Sequence, residues 1–225
     1  MTVDVDAIAA NLAAVQRRIE RAAERAGRDP STVTLIGVSK TMPPERVRAA
    51  YDAGLRHFGE NRVQEGEAKI DAVRLPDATW HLIGHLQTNK AKPAARCFQV
   101  IHSIDSERVA DALSRVGQDV KVLLEVNYAG EESKFGVSPE DVPALAAHVR
   151  NLPHLRLVGL MTVAPFVEDA EQVRPVFRGM RELGERLRGD GEWHLSMGMT
   201  NDFEVAVEEG ATFVRIGRAI FGERL

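Results

Sequence analysis

Cysteine is nearly missing from this chain: Cys97 is the single one among 225 residues. It has no partner for an internal disulfide, and its neighbours Arg96 and Phe98 offer no metal-ligand spacing, so an oxidised, disulfide-stapled scaffold is excluded. No stretch approaches the ~20 apolar residues that a membrane-spanning helix requires. Met1-Thr2-Val3-Asp4-Val5-Asp6 likewise lacks the basic start and apolar core of a secretory signal. The expected location is therefore the cytoplasm, with a reduced thiol. Charge of one sign is also lacking, since 29 Lys and Arg face 33 Asp and Glu for a net charge of -4. Without a basic run or a basic patch interleaved with aromatics, nucleic acid is not an expected partner, and neither is a membrane. No linker rich in Pro, Gly or Ser and no low-complexity segment interrupts the sequence. With 44% hydrophobic residues, one domain spanning residues 1–225 is expected, its first 28 residues forming a helix packed on the rest.

What is present is a regular alternation. Ile8, Leu12, Val15 and Ile19 recur at helical spacing between a cap at Asp4 or Asp6 and a stop at Gly27. Eight short apolar runs follow, at 34–38, 56–59, 80–83, 99–103, 122–126, 155–160, 193–196 and 213–216. The segments between them are long enough for a helix each, for example 44–53, 106–116, 140–150 and 173–187. Strands alternating with helices imply a parallel sheet, because parallel neighbours need a crossover. Eight units suit a closed α/β barrel of the TIM type. The rival, an open doubly wound sheet, is disfavoured because Ser39-Lys40-Thr41-Met42-Pro43-Pro44 carries no glycine fingerprint and nothing resembles a P-loop.

In such a barrel the residues just past the strand ends converge on one mouth. Here those ends carry Lys40, Asn61, His85, Ser103 and Asp105, Asn127, Thr162, Ser196 and Arg215. Polar loops are ordinary, so these residues either only satisfy backbone and solvent or build a site. Lys40 has the same two readings. Its ammonium extends to water over an apolar stem, or it is desolvated in a concave mouth and becomes an amine able to condense with a carbonyl. The last two strand ends, Ser196-Met197-Gly198-Met199-Thr200 and Arg215-Ile216-Gly217-Arg218, combine glycines, hydroxyls and a following helix start, which suits an anion such as phosphate. Lys90 and Arg62 are further anion candidates, with solvated helix charges as the alternative.

These segments also carry a family resemblance. Val38-Ser39-Lys40, His57-Phe58-Gly59-Glu60-Asn61-Arg62-Val63-Gln64-Glu65, Trp80-His81-Leu82-Ile83-Gly84-His85-Leu86-Gln87-Thr88-Asn89-Lys90, Gly159-Leu160-Met161-Thr162, Leu195-Ser196-Met197-Gly198-Met199 and Arg215-Ile216-Gly217 closely resemble the pyridoxal phosphate homeostasis proteins. The resemblance spans nearly the whole chain. It implies the fold type III barrel of alanine racemase and a protein that binds pyridoxal 5'-phosphate without an established catalytic activity. By the same resemblance Lys40 forms the internal aldimine and Arg215 faces the pyridine nitrogen. Ser196, Thr200, Gly217 and the backbone of Arg218 hold the phosphate, Asn61 lies against the ring, and Met199 packs near it. Lys134 resembles a second family lysine that accepts the cofactor in transfer, with a solvated loop lysine as the alternative. His85 is either a base or a residue that caps and orients the next helix. A monomer is expected on the resemblance alone.

The expected function is thus holding and supplying the cofactor within vitamin B6 homeostasis, with cofactor-dependent apoenzymes as transient recipients and no metal. An always-cationic arginine at the ring nitrogen keeps that nitrogen unprotonated and weakens carbanion chemistry. With the sequence ending at Leu225 and only Tyr51 and Tyr128 as tyrosines, the opposite-face acid/base of the two-domain racemases is not expected. The enzymatic alternatives are a small one-domain racemase-like enzyme using pyridoxal phosphate, or a cofactor-free aldolase.

Overall fold

The computed structural model describes residues 5–131 and 135–222. The opening periodicity becomes α1, Val5–Arg25, with Ile8, Leu12, Val15, Ile19, Ala22 and Ala23 buried along one face. Asp6 lies in its first turn and Arg25 in its last, which favours the helix dipole at both ends.

Eight strands follow: β1 Thr34–Val38, β2 His57–Glu60, β3 Thr79–Leu82, β4 Val100–Ile104, β5 Val120–Glu125, β6 Leu155–Met161, β7 His194–Ser196 and β8 Phe213–Ile216. Each pairs in parallel with the next, and β8 pairs with β1, so the sheet closes as the barrel expected from the sequence. Between strands run α2 Pro44–Asp52, α3 Val63–Val73, α4 Ala91–Cys97, α5 Glu107–Ser114, α6 Val142–Arg150, α7 Arg174–Leu187 and α8 Phe203–Glu208, and α9 Arg218–Phe221 follows β8. Short 3-10 turns at Pro30–Thr32, Thr88–Lys90 and Ala170–Val173 introduce β1, α4 and α7.

Closure gives every strand two buried faces, so β4 (Val-Ile-His-Ser-Ile) is buried at all five positions. Outward residues such as Ile101 and Leu124 join the large core beneath the helices. Inward ones, Ile36, Val100, Leu123, Val158, Met161 and Phe213, form a smaller cluster inside the barrel. At Gly159 the β5–β6 register shifts, and a Cβ there would overlap the carbonyl oxygen of His194 on β7. α1 packs against α2, α8 and α9 of its own chain, and its Arg18 and Arg25 pair with Glu204 and Glu208 of α8 at 2.9 and 2.7 Å. Among the described residues no helix is long and apolar enough to cross a membrane.

Candidate functional site

Lys40 sits one residue past Ser39, at the C-terminal end of β1, in a turn that is fixed from both sides. Ser39 donates its backbone N-H to the Gly59 carbonyl at 3.0 Å and its hydroxyl to Glu60 Oε1 at 2.6 Å. Lys69, reaching inward from α3, donates to the Ser39 carbonyl at 2.6 Å, to Glu60 at 2.7 Å and to Glu65 at 3.1 Å. Thr41, at φ 63°, is held in the left-handed region by an N-H bond to Glu65. Burial pushes the Glu60 carboxyl above its ordinary range, against the opposing effect of Lys69. The lysine turn therefore rests on a buried ion pair.

A cavity of about 560 Å³ opens beside it, within the roughly 300–1,000 Å³ usual for small-molecule sites. Lys40, Asn61, Met199, Thr200, Arg215, Gly217 and Arg218 all line it, drawn from the ends of β1, β2, β7 and β8. Asn61 Oδ1 is buried without a hydrogen-bond partner among the described residues. Gly84 crowds the Asn61 backbone from β3's side so closely that a Cβ there would overlap its carbonyl. Pro165 and Phe166 supply an apolar wall from the loop after β6, with Phe166 82% exposed at the rim.

Arg215 is buried, yet among the described residues no carboxylate forms an ion pair with it. Its Nη1 donates to Ser196 Oγ at 2.7 Å and its Nη2 to the Thr162 carbonyl at 2.8 Å. Burial lowers its pKa to about 10, with Asp202 and Glu125 opposing from a distance, so it stays cationic at neutral pH. The Glu125 carboxyl is pushed up to about 7 by burial and by the Asp105 charge, and its Oε2 meets no partner among the described residues. Asp202 also lines the cavity, accepts the Met199 N-H at 2.6 Å, and is raised above the ordinary range by burial.

Two of the candidate residues lie away from the Lys40 cavity. Ser196 is fully buried and is not among the residues lining the cavity; its hydroxyl is engaged by Arg215 at 2.7 Å and by His102 at 2.9 Å. His85 faces a neighbouring cavity of about 620 Å³, paired with Asp105 at 3.2 Å and stacked on Phe135 at 3.9 Å. Arg62 and Lys90 do not line the Lys40 cavity either. Lys134 lies outside the described residues. Sequence reasoning missed Asp202, Lys69 and the apolar wall. A lysine placed on the buried stripe Val63, Gly66, Lys69, Val73 of α3 was a readable signal, since such positions ordinarily take apolar side chains.

Residues 3–225 match the family described as alanine racemase, N-terminal domain. The pyridoxal phosphate homeostasis protein of Aquifex aeolicus is 48% identical over 222 residues, covering 95% of this chain and 96% of the relative. That of Pseudomonas aeruginosa is 49% identical with 96% of each covered. Among solved structures, PipY of Synechococcus elongatus with pyridoxal phosphate bound superposes with a TM-score of 0.82 at 38% identity, covering 96% of this chain and all of that one. Alanine racemase from Bartonella henselae shares the fold at 14% identity and a TM-score of 0.71. At this identity and over nearly full length, with the barrel and its lysine turn in place, the chain belongs to the pyridoxal phosphate homeostasis protein family.

Proposed function

We propose that this protein binds pyridoxal 5'-phosphate in the barrel-mouth cavity, attached through Lys40, and holds it for supply to cofactor-dependent apoenzymes in the cytoplasm. The observation that carries the reading is the convergence of Lys40 and Arg215 on one cavity with Thr200, Gly217 and Arg218. The donor set fits the group. Three cationic side chains face two acidic ones, Glu131 and Asp202, and Gly217 caps α9, whose first amides have no intrahelical acceptor. Thr200, Gly217 and Arg218 would hold the phosphate, Asn61 and Met199 would lie against the ring, and Arg215 would meet the ring nitrogen.

When bound, the cofactor supplies an aldehyde that condenses reversibly with amines and a ring that accepts electrons when its nitrogen is protonated. Arg215 brings no acceptor for a proton on that nitrogen, because a guanidinium only donates. Such a site favours holding over carbanion chemistry. Neither tyrosine lines the cavity: Tyr51 bonds Asp77 on the outside, and the Tyr128 hydroxyl lies over Gly179 of α7. The test is reconstitution with pyridoxal phosphate followed by assays of loading, of transfer to an apoenzyme, and of amino-acid racemisation. Loading and transfer without turnover are expected. Racemisation or elimination abolished by Lys40→Ala would overturn the non-enzymatic reading.

A further inference from the structure

Three histidines inside the barrel form a hydrogen-bonded ladder that ends on Arg215. His57 Nδ1 lies 3.0 Å from His81 Nε2, and His81 Nδ1 lies 2.9 Å from His102 Nε2. His102 Nδ1 then lies 2.9 Å from Ser196 Oγ, which accepts from Arg215 Nη1 at 2.7 Å. His81, His102 and Ser196 are fully buried. The ladder thus runs from the first residue of β2, at the barrel floor, to the cavity at the mouth.

Its direction follows from proton counting. Arg215 can only donate, so Ser196 Oγ accepts there and its own hydrogen needs one acceptor. His102 Nδ1 is its other partner among the described residues. If Ser196 donates to it, neutral His102 carries its proton on Nε2 and donates to His81 Nδ1. His81 in turn donates from Nε2 to His57 Nδ1, and every contact has one donor and one acceptor. The reverse direction leaves the buried Ser196 hydroxyl hydrogen without an acceptor among the described residues. Burial holds His81 and His102 well below the ordinary imidazole range, so neither brings a second proton. Phe213 packs edge-on to His81 at 5.5 Å and tilted against His102 at 5.6 Å, which fixes the ring planes.

We propose that Ser196 and His102 are positioning residues for Arg215, and that the directed histidine ladder fixes the edge of the guanidinium that faces the cavity. What that edge meets, the ring nitrogen, rests on the cofactor reading above. With no carboxylate in contact among the described residues, the arginine takes its orientation from one hydroxyl and one carbonyl. Freeing the hydroxyl leaves the guanidinium able to turn.

Nitrogen-15 NMR of the unmodified protein reads the tautomers directly. His81 and His102 are expected as neutral Nε2-H forms at neutral pH; an Nδ1-H form or an imidazolium at either overturns the direction. Loaded with pyridoxal phosphate, S196A and H102F are expected to keep a borohydride-trapped adduct on Lys40 while the absorption maximum of the bound cofactor shifts. Release to excess hydroxylamine should accelerate about tenfold, as for the loss of one hydrogen bond. H102Q, whose amide oxygen can accept from Ser196 and whose amide nitrogen can donate to His81, should restore both. Unchanged spectrum and release in S196A and H102F overturn the positioning role, and S196A alone decides if H102F fails to fold. A wild-type protein that does not load at Lys40 would instead sink the cofactor reading, leaving the tautomers to judge the ladder.

Discussion

At the scale of single residues, groups that line the cavity are distinct from the groups that hold them in place. Thr200 lines the cavity, so Thr200→Ala is expected to weaken cofactor retention by about 1–3 kcal/mol, the worth of one charge-assisted contact, measured by equilibrium dialysis. Ser196→Ala acts through Arg215. The sequence could place Ser196 at a strand end but not say which way its hydroxyl turns, because His102, 94 residues distant, decides that. Glu125 gives a pH signature. Its folded carboxyl keeps a proton up to about pH 7, whereas an exposed one releases it near 4.5, so its ionisation leaves stability unchanged well below pH 4.5 and destabilises the fold increasingly as pH rises between those values. Glu125→Gln is therefore expected to be more stabilising at pH 8 than at pH 4, by up to about 3 kcal/mol, read from urea denaturation at both pH values. Equal effects at both would contradict the raised carboxyl.

At the scale of elements, the turn after β1 depends on α3. Lys69 is 5% exposed and bonds Ser39, Glu60 and Glu65 together, so Lys69→Met leaves the buried Glu60 carboxylate without its counter-charge, with only the Ser39 hydroxyl still donating to it. A loss of about 3–5 kcal/mol in urea denaturation is expected, with much of it recovered by adding Glu60→Gln. Strand positions were legible because each apolar run is buried on two faces. Their ends shifted by a residue or two; β5, for instance, begins at Val120 and not at 122, since pairing of Val120 with Leu155 extends it past its most apolar stretch. The Lys69 network was less legible, because an i,i+4 Glu65-Lys69 pair reads as a surface pair until β2 supplies Glu60. The histidine ladder was invisible for a related reason: His57, His81 and His102 become neighbours only when three strands register side by side.

At the scale of the whole molecule, alternation of strands and helices pointed to a parallel sheet, and eight units without a nucleotide-binding glycine fingerprint favoured the closed barrel, whose closure gathers strand ends into one mouth. The apolar stripe of α1 is buried against helices of its own chain. Leu12 is 1% exposed there, so Leu12→Ala is expected to cost about 2–5 kcal/mol in thermal or urea unfolding. The central claim concerns Lys40, and one measurement addresses it: the protein is loaded with pyridoxal phosphate, reduced with borohydride, digested, and mapped by mass spectrometry. The expected result is a single cofactor adduct on Lys40, absent from Lys40→Ala, whose unfolding midpoint without cofactor stays close to that of the parent. A protein that takes up no adduct, or carries it on another lysine with Lys40 unmodified, would contradict the account.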